Sequence, residues 1–279
     1  MRNTINGVSY FYQWLQPYRP ALPTLVALHG FTGSSESFRP VFAEEGSYNV
    51  LAVDLIGHGR SSIYVHPMRY ELPLLVEDLA QLLAKLGIER YGLYGYSMGA
   101  RIALFWAVME PAAVTHLLLE SGSPGLADPA ERLARQRHDR RLALRLLREP
   151  LVDFVDYWQE LPLFASQKEL PLVQQAAVRQ GRLQQNKFGL AVSLVYGGTG
   201  KQPSCWSALP QLACEILYLA GEKDVKFRKI AHQMKQLQPE MTIKVVANAG
   251  HCIHLEQPTQ VRHEIDQWFV KGSGPQSAD

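Results

Sequence analysis

The chain is short of the features that mark secreted, membrane-bound and nucleic-acid-binding proteins. Cysteine occurs three times in 279 residues, as Cys205, Cys214 and Cys252, with no C-x-x-C pair and no even set from which a disulfide framework could be built. All three are expected to be reduced, structural thiols. No apolar run of signal-peptide length follows Met1, and no segment approaches the roughly eighteen uninterrupted apolar residues of a membrane span, so a cytoplasmic protein without membrane insertion is expected. Charge of one sign is lacking as well: Lys+Arg at 28 against Asp+Glu at 26 give a net charge of +2, too little to argue for nucleic acid as a partner. Internal repeats and low-complexity tracts are absent. With 47% hydrophobic and 19% charged residues the chain can bury a large core, and only 271–279, rich in Gly, Ser, Pro and Gln, reads as a flexible tail.

What is present is an alternation of short apolar runs ending in Gly or Asp with helical patterns. Parallel strands joined by crossover helices have this signature, which predicts an α/β fold. Strands are expected at 22–28, 50–54, 91–95, 116–120, 216–220 and 243–247, whose Val, Ile, Leu and Tyr content suits strands covered on both faces. Leu75, Leu79, Leu82, Leu83 and Leu86 recur at helical spacing, and Gly87 follows as a C-terminal cap. Residues 7–14 read as an antiparallel hairpin arm. From 124 to 203 the rhythm changes to Arg-, Gln- and Leu-rich helical stretches without a buried strand. Segments 1–123 and 204–270 are therefore expected to form one core, with 124–203 a helical cap over the carboxyl ends of the strands, where ligand sites form in such sheets.

The chemistry is concentrated at three strand ends. Gly95-Tyr96-Ser97-Met98-Gly99 fits G-x-S-x-G between an expected strand and an expected helix, so the two glycines permit a sharp turn that holds the Ser97 hydroxyl out of the sheet. A serine hydroxyl is a poor nucleophile or base at neutral pH and needs an imidazole, which in turn needs an acid to fix its tautomer. His251, behind Ala249-Gly250, is the candidate imidazole, and His254 its packed neighbour. Asp224 is the candidate acid, with Glu222 as its rival. Leu28-His29-Gly30-Phe31 ends the first central strand, and the Phe31 and Met98 amides are the expected oxyanion donors, each able to contribute about 2.7–4 kcal/mol to a transition state. His29 is read as structural, and the glycine-rich turn 54–61 as shaping its loop without binding phosphate. Arg101 lies one helical turn beyond Ser97, beside the site, where most esterases have no use for a guanidinium.

The run Gly95 to Arg101, with Leu28-His29-Gly30-Phe31-Thr32-Gly33 and Gly221-Glu222-Lys223-Asp224-Val225-Lys226-Phe227, closely resembles the 2-succinyl-6-hydroxy-2,4-cyclohexadiene-1-carboxylate synthases of menaquinone and phylloquinone biosynthesis, members of the α/β-hydrolase superfamily. The resemblance extends into the cap at Ser123-Pro124-Gly125-Leu126, Arg135-Gln136-Arg137, Leu163-Phe164-Ala165-Ser166 and Gly200-Lys201-Gln202-Pro203-Ser204. It implies elimination of pyruvate from an enolpyruvyl-succinyl-cyclohexene carboxylate, with no cofactor and no metal. Ser97, coupled to His251 and Asp224, would take the proton, and Phe31 and Met98 would hold the enolate. Arg101, Arg135 and Arg182 match family arginines that would grip a small-molecule polycarboxylate substrate. Tyr96, Tyr157, Trp158 and Phe164 would line the wall around the ring. The family often has Asp-Trp-Tyr where this chain has Asp156-Tyr157-Trp158, so either aromatic could face the pocket. Two other readings stay open on the residues alone: a serine esterase or carbon–carbon-bond hydrolase, and a receptor that retains a triad.

Overall fold

Asn6 and Gly7 both adopt positive φ, 47° and 80°, as the two-residue turn of a tight hairpin requires. In the computed structural model, which describes residues 1–269, they join β1 (Arg2–Ile5) to β2 (Val8–Trp14) with Ile5 opposite Val8. The arm expected over 7–14 is the second strand of this hairpin. It runs antiparallel to β4 (Asn49–Val53), and from there the sheet is parallel through β3 (Thr24–Leu28), β5 (Tyr91–Tyr96), β6 (Val114–Glu120), β7 (Glu215–Gly221) and β8 (Thr242–Val246). The order β1-β2-β4-β3-β5-β6-β7-β8 places β3 and β5 at the centre.

Each expected parallel strand is present, with ends moved by one or two residues. β3 starts at Thr24 and not at 22 because Pro23 has no N–H to give a ladder, although its carbonyl accepts from Asn49 N at 2.8 Å. β4 stops at Val53 because the Asp54 carboxylate is drawn into the following loop, accepting from Ser35 N at 2.7 Å and Arg60 N at 2.8 Å. Register aligns the strand ends: Leu28 sits beside Gly95, Tyr96 beside Glu120 and Gly221 beside Val246. Residues just past these positions meet along one edge.

Helix α1 (Leu72–Lys85) turns its expected leucine stripe inward, with Leu75, Leu79, Leu82 and Leu83 buried. Gly87, at φ 73°, closes it as foreseen: Gly87 N donates to Ala84 O and Ile88 N to Leu83 O, both at 3.0 Å. α2 (Met98–Met109) leaves β5 directly. Between β6 and β7 the described chain forms α3 (Pro129–Arg148), α4 (Leu151–Gln159), α5 (Leu172–Leu183) and α6 (Lys187–Gly197) and no strand. α7 (Val225–Leu237) follows β7, and α8 (Ile253–Glu256) and α9 (Pro258–Phe269) follow β8. α1, α2 and α7 pack Leu79, Trp106 and Met234 against Val26, Leu93 and Leu117 on one face of the sheet. α9 packs Val261 and Ile265 with Phe38 against Leu25, Tyr94 and Leu118 on the other. The 124–203 helices keep a small core of their own around Leu146, Phe154 and Leu190. The tail expected at 271–279 lies outside the described residues.

Two glycines make a matched test of backbone and packing demands. A Cβ on Gly87 meets nothing within 4 Å, so Gly87→Ala carries only the left-handed penalty of about 1–2 kcal/mol. A Cβ on Gly99 would overlap the Leu28 backbone carbonyl, which cannot yield, so Gly99→Ala should lose about 3 kcal/mol or more, or fail to fold. Urea unfolding followed by circular dichroism measures both, and equal midpoints would contradict this account.

Candidate active site

Ser97 holds φ 51° and ψ −101°, a backbone conformation a serine adopts only under constraint. The constraint is visible on either side. Gly95 has no room for a Cβ because the Gly99 carbonyl lies against it, and Gly99 itself lies against Leu28. The Ser97 amide donates to Glu120 O at 2.9 Å, which ties the turn to β6. The hydroxyl is thereby presented above the edge where the strands end.

His251 and Asp224 come to it from β8 and β7. Ser97 Oγ and His251 Nε2 are 3.0 Å apart, and His251 Nδ1 and Asp224 Oδ2 2.8 Å. The carboxylate accepts a hydrogen bond from Nδ1–H, which fixes the tautomer and leaves Nε2 free to accept from the serine hydroxyl. Asp224 is also the N-cap of α7, with Oδ1 accepting from Phe227 N at 3.2 Å, so the helix start fixes the acid. The rival Glu222 is turned to the surface, where it accepts from Asn248 N at 3.0 Å. His254 is indeed a buried neighbour, and its Nδ1 is 2.9 Å from the fully buried Glu120 carboxylate. Burial opposes the charge on this imidazole, yet Cys252 and Glu120 outweigh it and hold His254 well above the ordinary range.

A cavity of about 480 Å³ opens over the pair Ser97 and His251. Phe31 and Met98 stand on its wall, and among the described residues their amides donate to no protein acceptor. Met98 is the first residue of α2, whose leading N–H groups have no partner within the helix. Beneath Phe31, His29 is structural as read: Nδ1 donates to Gly30 O at 2.8 Å, and Nε2 accepts from Leu55 N at 3.0 Å. His58 packs 5.2 Å from it and donates to Ile56 O at 3.1 Å. Burial pushes both imidazoles down, and the nearby His29 adds to the effect on His58, which falls to about 3.

Of the three expected arginines, two line this cavity. Arg101 donates from Nη1 to Gln202 Oε1 at 3.0 Å. Burial, helped by Arg135 and opposed by Asp139, lowers its pKa to about 10, so it stays cationic at neutral pH. Arg135 is tied to Asp139 through Nε at 2.8 Å, and no other hydrogen bond of its guanidinium occurs among the described residues. Arg182 does not reach this cavity. It is buried on α5, donates to Gln167 Oε1 at 2.9 Å, lies 5.0 Å from the Phe164 ring centroid and opens on a second cavity of about 240 Å³. Phe31, Tyr96 and Phe164 line both cavities and form the wall they share.

The aromatic ambiguity is resolved by helix phase. Trp158 lines the site cavity, edge-on to Phe31 at 5.2 Å and stacked on Phe154 at 5.7 Å. Tyr157, about a hundred degrees round α4, is absent from that lining, and its ring carries the Arg145 guanidinium at 3.9 Å. Three contributors were not singled out from the sequence. Lys226 lines the cavity wall near the acid, Gln202 holds Arg101, and Glu256 accepts from the amides on both sides of His251. Lys226 and Gln202 lie in segments that carry the family resemblance, and that was their only signal.

Residues 23–258 match the family model described as the alpha/beta hydrolase fold. A Bacillus subtilis (strain 168) protein, provisionally named as a 2-succinyl-6-hydroxy-2,4-cyclohexadiene-1-carboxylate synthase, is 40% identical over 85% of this chain and 87% of its own. The synthase of that name from Salmonella paratyphi B (strain ATCC BAA-1250 / SPB7) is 34% identical over 90% of this chain and 95% of its own. Among solved structures, MenH from S. aureus superposes with a TM-score of 0.86 at 34% identity, covering 94% of this chain and 98% of that one. Sequence and fold agree, and the chain belongs to the 2-succinyl-6-hydroxy-2,4-cyclohexadiene-1-carboxylate synthase family of the α/β-hydrolase fold.

Proposed function

We propose that the protein eliminates pyruvate from 2-succinyl-5-enolpyruvyl-6-hydroxy-3-cyclohexene-1-carboxylate to give 2-succinyl-6-hydroxy-2,4-cyclohexadiene-1-carboxylate. Family membership supports the reaction, and the single observation that carries it in the site is Arg101, a guanidinium one helical turn from the triad serine on the cavity wall. A hydrolase of neutral esters has no partner for that charge. The substrate brings three carboxylates, and Arg101, Arg135 and Lys226 are cationic groups on the same wall.

The reaction follows from the two ring structures. Ring carbon 2 bears a hydrogen that is both α to the succinyl ketone and allylic to the 3,4 double bond. Ser97 Oγ takes that proton as its own passes to His251 Nε2, and Asp224 stabilises the imidazolium that forms. The electrons left behind spread onto the ketone oxygen, where the Phe31 and Met98 amides are the donors. They then move through the ring as the 2,3 and 4,5 double bonds form and the carbon–oxygen bond at position 5 breaks. Enolpyruvate leaves, is protonated and becomes pyruvate. Residues 124–203 act as the cap, with Trp158 and Phe164 presenting apolar surface to the ring. Tyr96 lines the same cavity, and Arg182 stands beyond the wall that this cavity shares with the second.

Diene absorbance and pyruvate release test this directly. Ser97→Ala should lower kcat by about 10²–10⁴-fold, as loss of a positioned base does. Arg101→Met should raise KM by about tenfold to a hundredfold, the worth of a charge-assisted hydrogen bond. Fast hydrolysis of p-nitrophenyl esters that survives Arg101→Met, without diene formation, would replace elimination with an esterase reaction. A second comparison probes the wall: Trp158→Ala should cut kcat/KM by about tenfold or more, while Tyr157→Ala should stay within about threefold, because a large desolvated aromatic contributes far more than one outside the cavity. Equal losses would mean that the phase of α4 is wrong.

A further inference from the structure

The triad explains what aligns Asp224 and Ser97 with His251, but not what holds the His251 backbone. That loop follows a short edge strand, and its ring must keep two hydrogen bonds at once. The Glu256 carboxylate lies behind it, accepting from Gly250 N at 2.6 Å and from Cys252 N at 3.3 Å, the amides on either side of His251. Its third donor comes from another part of the molecule: Ser166 Oγ donates to Glu256 Oε1 at 2.9 Å. Ser166 belongs to the 3-10 turn Pro162–Glu169 between α4 and α5, as does Phe164, whose ring stands 6.2 Å from that of His251. The approach is close enough that a Cβ on Gly250 would overlap the Ser166 hydroxyl. Burial, with a smaller contribution from Glu120, raises the Glu256 pKa, and the donors from Gly250, Ser166 and Cys252 offset part of that rise.

We infer that Glu256 is a positioning residue for His251 and that Ser166 ties it to the seating of the cap, so that the imidazole is in register with Ser97 when the Pro162–Glu169 turn is docked. The inference rests on the reading that His251 activates Ser97, and is independent of the substrate. A carboxylate satisfies both amides and the hydroxyl. In Glu256→Gln one oxygen becomes an NH₂ group, which cannot accept, so at least one donor is orphaned without a change of shape. Ser166→Ala deletes only the link to the cap.

The test uses the full chain and a fluorophosphonate, which labels an activated serine whatever the natural substrate is, alongside steady-state elimination kinetics. Each single variant should slow Ser97 labelling by about fivefold or more and lower kcat in proportion, with KM within about threefold, since small misplacement of a catalytic group costs rate rather than binding. The double variant should be no slower than the slower single, because the two residues act through one contact. Wild-type labelling in Ser166→Ala, or a change confined to KM, overturns the inference. Should Glu256→Gln fail to fold, Ser166→Ala still decides it. Slowed labelling in a protein that never forms the diene would uphold the positioning role while refuting the proposed reaction.

Discussion

The contact of Gly99 with the Leu28 carbonyl is what lets the first turn of α2 sit against the end of β3, and almost everything at the site follows from it. Any side chain at position 99 would push the helix away from the sheet. With the helix seated, Ser97 is left in its positive-φ conformation, and Met98 stands on the wall of the same cavity that Phe31 lines. Such backbone conformations cost of order 1–3 kcal/mol and persist only where the surroundings over-determine them. Here the two glycines and the bond from Ser97 N to Glu120 O supply that determination.

The site is charged in layers. On the cavity wall, Arg101 remains ionised although burial works against it, and it donates to Gln202 Oε1 and Gly197 O, while Arg135 donates to Asp139. Below the triad, Glu120 and His254 form a fully buried pair that also takes the Tyr94 hydroxyl at 2.5 Å. A pair of this kind is weak evidence of net stability, since desolvation offsets most of the attraction. Its position suggests a geometric role, because the Tyr96 ring lies 4.6 Å from His254 and 5.5 Å from His251, and so separates the buried pair from the catalytic one.

Much of this was legible in the sequence, for an identifiable reason. The triad residues stand at strand ends, and strand ends are marked by local signals: apolar runs, glycines and the change to helical spacing. Gly87 closing α1 is legible for the same cause. The strand limits shifted where a tertiary partner intervened, as Asp54 shows, or where Pro23 removed a donor. Choosing between Tyr157 and Trp158 required the rotational phase of α4, which adjacent residues of similar character do not encode. Arg182 sits beside Tyr96 and Phe164 yet opens on the neighbouring cavity, and no spacing rule distinguishes the two sides of a shared wall. Glu256 was illegible because Ser166, the partner that ties it to the 124–203 segment, stands ninety positions earlier, and its local bonds to the Gly250 and Cys252 amides are made by backbone groups that leave no pattern of residue types.

The two imidazoles beneath Phe31 carry a consequence for acid tolerance. His29 and His58 are fully buried and neutral, each with a tautomer fixed by a backbone carbonyl. In an unfolded chain a histidine binds a proton near pH 6.5, whereas His58 here resists protonation until about 3. Between those limits the unfolded state takes up protons that the folded state refuses, so stability drains away as pH falls through the window and is restored above it. Protonation without global unfolding needs a local opening around these rings, and the Phe31 ring stands edge-on to His58 at 5.7 Å. Mild acid therefore acts on the packing of Phe31 against His58, at the border of the cavity that Ser97 lines.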